Sequence, residues 1–90
     1  MVKIFDVPTA FVLVNSELSY DMEIIGKMKD ILSSNKDLEY EIQGVYGIYD
    51  IVLRVSSNDS AKLRGMVTNQ VRRIENVQST LTMMVIEEQE

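Results

Sequence analysis

Apolar residues run almost unbroken through Ala10, Phe11, Val12, Leu13 and Val14, directly after Val7-Pro8. Proline biases the residue before it toward extended backbone, and a strand with two apolar faces is covered on both sides. Thr9 to Asn15 therefore reads as a central strand. From Ser19 the period changes. Ile24, Met28 and Ile31 recur at i, i+4 and i+7, with Ile25 and Leu32 beside them, which makes one apolar stripe on a helix running to about Ser33. Ser19 is placed to cap that helix, and Asp21 and Glu23 fall in its first turn, where acids complement the helix dipole.

Ser33 to Asp37 is polar throughout and reads as a loop. Beyond it Leu38, Tyr40 and Ile42 alternate with Glu39, Glu41 and Gln43, the pattern of a strand with one buried face. Gly44 lies near its end, and Tyr46-Gly47 turns the chain into a second strand, Ile48 to Ser56, so the pair reads as a β-hairpin. Ile51, Leu53 and Val55 share one face of that strand, and Asp50, Val52 and Arg54 the other. Ser57-Asn58-Asp59-Ser60 supplies helix-start residues. Leu63, Met66, Val67, Gln70, Val71 and Ile74 follow at helical spacing. Asn76 tolerates the left-handed backbone that stops a helix. The last strand spans Val77 to Ile86, and Glu87 to Glu90 reads as a frayed acidic tail.

The order β-α-β-β-α-β is the split βαβ of a ferredoxin-like α+β fold: a four-stranded antiparallel sheet with two helices on one face. Two helices cover one face only, yet the strands from Ala10 and Ile48 are apolar on both. Another copy of the same sheet is the most economical cover, so the domain is expected to dimerise through its open face.

Composition agrees. Ninety residues, 46% of them hydrophobic, make a single domain with a core from about residue 9 to 86. A chain this short buries only roughly 60–65% of its unfolded surface, and oligomerisation is the common remedy. There is no cysteine and no histidine, which excludes disulfides, thiolate or imidazole metal sites, and cysteine or histidine catalysis. The net charge of −5, with no basic cluster longer than Arg72-Arg73, argues against binding nucleic acid or an anionic membrane surface. No apolar run reaches the roughly 20 residues of a membrane span. An acid and Pro8 interrupt the opening Met1 to Asp6 before any signal-peptide core develops. A cytoplasmic protein is expected.

Two stretches carry a family resemblance. In Gly47-Ile48-Tyr49-Asp50-Ile51-Val52-Leu53-Arg54-Val55, a glycine, one residue, an aromatic and an aspartate precede an apolar strand. In Arg72-Arg73-Ile74-Glu75-Asn76-Val77-Gln78-Ser79-Thr80-Leu81-Thr82, a helix end and a valine lead into a serine–threonine strand. In this order they resemble the effector-binding (RAM) domain of the Lrp/AsnC family of amino-acid-responsive regulators, over about Thr9 to Ile86. Asn76 departs from the family, which often has glycine there, but asparagine adopts the same backbone. The helix-turn-helix domain of full-length relatives has no counterpart, so a stand-alone effector domain is expected. The resemblance implies sheet-to-sheet dimers that associate into octamers or decamers. It implies a free amino acid bound between dimers, at the turn between the second and third strands and the last strand. It also points to mixed oligomers with full-length Lrp/AsnC regulators, or to another protein partner. On this chain the site residues are Tyr46, Gly47, Tyr49, Asp50, Thr80 and Thr82.

Each has a plainer reading. Gly47 supplies a positive φ in a hairpin, or lets a ligand carboxylate approach backbone amides. Asp50, a carboxylate at the head of an apolar strand, needs a partner. It caps the hairpin, pairs with Arg54, or holds an α-ammonium. Thr80 and Thr82 share a face and are good strand formers, or their hydroxyls receive a ligand carboxylate. Tyr46 and Tyr49 pack first and reach a pocket with at most a phenol. Met83-Met84 packs in the core or lines an interface.

The leading function is a binding module without enzymatic activity or cofactor: an amino-acid sensor acting on transcription or amino-acid metabolism through protein partners. The alternatives are a small dimeric ferredoxin-like enzyme of the cofactor-poor monooxygenase type, disfavoured by an aliphatic sheet face without histidine, and a purely structural oligomer. The charge balance makes a direct prediction. In a gel shift at low salt the 90-residue chain retards no duplex at micromolar concentration, and tight, salt-sensitive retardation would contradict the charge argument.

Overall fold

The computed structural model describes residues 7–86; Met1 to Asp6 and the acidic Glu87 to Glu90 lie outside the described residues. Four strands, β1 (Thr9–Ser16), β2 (Glu39–Gly44), β3 (Ile51–Ser56) and β4 (Val77–Met84), form one antiparallel sheet in the order β2-β3-β1-β4. Helix α1 (Asp21–Ser33) joins β1 to β2. The second helix, α2, is wound as a π-helix over Lys62–Val67 and as an α-helix over Thr68–Arg72. This is the expected βαββαβ fold, with β1 and β3 central. Among the described residues no helix is long and apolar enough to cross a membrane.

The alternation of β1 builds the core. Ala10, Val12 and Val14 point to the helix side and are fully buried, opposite Val55, Leu53 and Ile51 of β3. Ile24, Met28 and Leu32 of α1 and Leu63, Val67 and Val71 of α2 close over them. The α2 stripe differs from the expected one: Met66 is only half-buried and Gln70 is exposed. A π turn holds more residues than an α turn, so positions four apart align and those three apart rotate off the core. The hydroxyl of Thr68 donates to the Leu63 carbonyl at 3.1 Å within this turn.

Three boundaries move, each for a local reason. Ser19 does not cap α1. The Tyr20 amide donates to the Glu17 carbonyl at 3.1 Å, closing a turn in which Ser19 takes a φ of 72°. A residue at that turn position is not at the head of the helix. Tyr20 occupies the cap position without a side-chain bond, while Asp21 and Glu23 keep their place in the first turn. Strand β3 starts at Ile51, not Ile48, because Gly47 at φ 138° diverts the chain and residues 45–50 form the loop, closed by the Val45 amide on the Asp50 carbonyl at 2.9 Å. Strand β4 ends at Met84, with one further bond from the Val85 amide to the Thr9 carbonyl at 2.9 Å.

At one end of the molecule Lys62 Nζ meets Asp37 Oδ1 at 2.6 Å and Ser57 donates to Asp37 Oδ2 at 3.3 Å, tying the loops before β2 and α2 together. The Lys62 hydrogen bond holds the Asp37 carboxyl below its ordinary value. At the other end Asn76 takes a φ of 74°, and its carbonyl accepts the Glu17 amide at 2.8 Å, which sets the entry of β4 beside the exit of β1. A β-branched side chain is strained in that conformation and glycine is not. Asn76→Val is therefore expected to lose about 1–2 kcal/mol more than Asn76→Gly in urea unfolding at fixed protein concentration; equal stability of the two variants would refute a backbone role.

Candidate functional site

The end of the sheet where β1 stops gathers four pieces of chain: Asn15 and Ser16 of β1, the turn into α1, the 45–50 loop, and the start of β4. Asp50 organises it. Its amide donates to the Val14 carbonyl at 3.0 Å, extending the β1–β3 ladder by one residue. Its carboxylate Oδ2 accepts the Ser16 amide at 2.9 Å and the Ser16 hydroxyl at 3.3 Å. The register of β1 against β4 breaks between Asn15 and Ser16. An irregularity of this kind leaves a backbone amide without its ladder partner, and the Asp50 carboxylate serves the Ser16 amide. Oδ1 accepts no bond among the described residues.

Asp50 thus caps a strand end, but the strand is β1 and not its own hairpin, and Arg54 is not its partner. Arg54 Nε donates to Glu41 Oε1 at 3.0 Å and Nη1 to Ser56 Oγ at 3.4 Å. Gly47 keeps the positive φ expected of it, and a Cβ added there meets nothing within 4 Å. Backbone conformation, not space, selects glycine in this structure. Tyr46 and Ile48 stand almost wholly in solvent, as do Leu18 and Met22 at the entry of α1. Tyr49 and Asp50 are half-buried. Large apolar side chains in solvent at one end of a small domain mark a surface built to meet something.

Thr80 and Thr82 lie elsewhere. They pair with Val14 and Val12 and so share the helix-covered face, whereas Asp50 shares the alternation of Val52 and Arg54 on the open face. Thr82 donates to Thr68 Oγ1 at 3.4 Å, continuing to the Leu63 carbonyl through the Thr68 hydroxyl. The structure brings Tyr46, Gly47, Tyr49 and Asp50 into one loop. It brings Thr80 and Thr82 together beside α2, with β1 between the two groups. Sequence reasoning missed Asn15, Ser16 and Ser79. Asn15 Nδ2 donates to Ser79 Oγ at 3.3 Å beside the Asp50–Ser16 pair. The available signal was the abrupt change from Val14 to Asn15-Ser16 at the end of the apolar run. Among the described residues no group of three potential metal ligands forms.

Known structures share this overall fold. FFRP-DM1 superposes with a TM-score of 0.71 at 26% identity, over 88% of this chain and 99% of its own. AsnC of E. coli does so with a TM-score of 0.67 at 22% identity, over 90% of this chain and 52% of AsnC. A transcriptional regulator of Neisseria meningitidis, solved as its L-Met complex, gives 0.64 at 14% identity, over 92% of this chain and 52% of its own. In fold, the chain is similar to FFRP-DM1 and to AsnC. No family model and no curated protein matches it by sequence. Within this fold the loop that carries Gly47 and Asp50 is held by the domain's own β1.

The strength of the Asp50 clip is measurable. Asp50→Ala strands the part-buried Ser16 amide and is expected to lose about 1–3 kcal/mol in urea unfolding. Asp50→Asn keeps an oxygen acceptor and retains most of that stability, and Ser16→Ala, which leaves the amide bond intact, changes little. If Asp50→Ala is as stable as wild type, the clip does not hold the loop.

Proposed function

We propose that this chain is an amino-acid-binding regulatory module, not an enzyme, whose ligand site is completed by a second copy. The observation that carries the proposal is the split between its two candidate halves. A free α-amino acid is a zwitterion, so a site for it needs an anion and a set of donors within one ligand's length. The Asp50 carboxylate, with Oδ1 uncommitted, and the Gly47 loop sit at the exposed end of the sheet. The Thr80 and Thr82 hydroxyls sit on the opposite face of β4, across β1. A neighbouring copy that presents its β4 to this loop supplies what one protomer lacks.

Support comes from three sides. The solvent-exposed Tyr46 and Ile48 flank Gly47 on the loop that would receive the neighbour. The fold is that of AsnC, and a regulator with the same fold was solved with L-Met. The open face of the sheet is apolar along β1 and β4, which favours dimers, and the loop end then joins dimers into a larger even-numbered ring, an octamer or decamer. Occupancy of the shared site changes the stability of that ring. Through it the module acts on full-length Lrp/AsnC regulators or on another protein.

Calorimetric titration of the twenty amino acids, with mass followed by light scattering, tests this. At least one amino acid is expected to bind wild type at millimolar concentration or below. Asp50→Asn, still folded, should bind it about tenfold or more weakly, since a charge-assisted bond contributes roughly 1.5–3 kcal/mol. Absence of binding to wild type, or equal binding by Asp50→Asn, would defeat the proposed site.

A further inference from the structure

The two edges of the sheet are built differently. β2, six residues long, carries Glu39 and Glu41, charges that discourage another strand from pairing with it. β4, eight residues long, runs from Val77 to Met84 without a charge, a proline or a glycine. Its neighbour on one side is β1; among the described residues it has none on the other. The bond from the Val85 amide to the Thr9 carbonyl fixes the parity of the β1–β4 ladder. Main-chain bonds in an antiparallel pair alternate, so Met83 and Leu81 bond to Phe11 and Leu13. The amides and carbonyls of Thr80, Thr82 and Met84 therefore point off the edge. Among the described residues no hydrogen bond reaches them there.

Helix α2 runs beside this edge. The Thr82 hydroxyl meets Thr68 Oγ1 at 3.4 Å, so the flank of α2 that carries Thr68 faces β4. Arg64 and Arg72 lie four residues to either side of Thr68, on the same flank. Both are exposed, and neither is ion-paired among the described residues; Arg72 donates to Asn69 Oδ1 at 2.8 Å. In a chain of net charge −5, the open edge thus has two unneutralised cations beside it.

We propose that the free edge of β4 accepts an extended, acidic segment of another protein as a fifth strand. This goes beyond the proposed function and does not depend on it, since it uses the main chain of β4 and the α2 arginines rather than the Asp50 loop. The main-chain groups of Thr80, Thr82 and Met84 supply affinity that is indifferent to sequence, and side chains supply selectivity. Alternate residues of an added strand point to the helix side, as Thr80 and Thr82 do. Eight residues of helix set Arg64 roughly 12 Å from Arg72, and four residues of strand span roughly 13 Å. Carboxylates on alternate residues of the added strand therefore meet both guanidiniums, which bind a carboxylate through two parallel bonds. At the β2 edge the same segment meets Glu39 and Glu41 instead. A second copy of β4 fits less well, because it carries no carboxylate for the arginines.

The probe is a fluorescein-labelled peptide of alternating glutamate and threonine, about eight residues long with blocked ends, matched to the length of β4. Fluorescence anisotropy with the full chain is expected to show saturable binding at millimolar concentration or below, weakening as salt is added. Residues opposite Thr80 and Thr82 share their face, so the glutamates carry the bonding amides. The same peptide N-methylated on its glutamates keeps its charge and loses those bonds, and is expected to bind about tenfold or more weakly. A lysine–threonine peptide should not bind. The double variant Arg64→Gln, Arg72→Gln, changed only at exposed positions and checked by circular dichroism, should bind the glutamate peptide about threefold or more weakly. If that variant loses its fold, the salt dependence of wild-type binding reads the same contact. No saturable binding, which is also the result if a second copy already fills the edge, overturns the proposal. So does equal binding of the N-methylated peptide, of the lysine peptide or by the folded double variant, and so does salt-insensitive binding to wild type.

Discussion

The alternation of side chains along β1 is the constraint on which the rest of the structure depends. Because successive residues point to opposite faces, Ala10, Val12 and Val14 are committed to the helices and Phe11 and Leu13 to the other side. Every neighbour inherits the division through the ladder. Leu53 and Ile51 join the core because they face Val12 and Val14, and Leu81 and Met83 are left outward because they face Leu13 and Phe11. A one-residue slip would exchange the two faces entirely. Two helices complete only one of them, so the same pattern that builds the core also leaves apolar side chains of β1 and β4 on the uncovered face.

That division also separates the chemistry. Asp50 follows the outward alternation of β3, while Thr80 and Thr82 follow the inward alternation of β4. Candidate residues that lie close in a list of motifs are therefore kept apart by the sheet itself. The proposed function answers the separation by repetition, with the β4 of a neighbouring copy brought to the exposed loop of another. On the proposed reading, assembly and ligand capture would be one problem. Linkage follows directly, since a ligand that bridges copies favours the assembled state by its own binding free energy.

Much of this was legible in the chain. The five consecutive apolar residues from Ala10 to Val14 mark a central strand. The alternation from Leu38 to Gln43 marks a half-exposed one, and it is an edge strand as its two outward glutamates suit. Gly47 and Asn76 mark two left-handed positions that the structure uses. What was not legible depends on partners elsewhere in the fold. Ser19 has the chemistry of a helix cap, but the Glu17–Tyr20 turn claims it. The sequence marks Asp50 as a carboxylate that needs a partner. That the partner is the amide of Ser16, 34 positions away, follows only from the strand order and from the register break in β1. The π winding of α2 leaves a trace in the spacing of Leu63, Val67 and Val71, but a spacing of four is compatible with an α-helix too.

Asp50 shows why the plain reading and the functional one are not rivals. A loop that receives a charged ligand must hold its anion in place before the ligand arrives, or binding has to order the loop as well as fill it. One carboxylate oxygen of Asp50 is spent on the strand end, which fixes the side chain, and the other is left without a partner among the described residues. The glycine three residues earlier, at a φ of 138°, lets the chain turn into that loop without backbone strain. A purely structural clip would keep most of its strength with asparagine, which still offers the Ser16 amide an oxygen acceptor. Asparagine fills one role and lacks the charge for the other. The difference in ligand affinity between wild type and the Asp50→Asn variant, at equal fold stability, is therefore the quantity that tells whether the strand cap is the whole of Asp50's purpose.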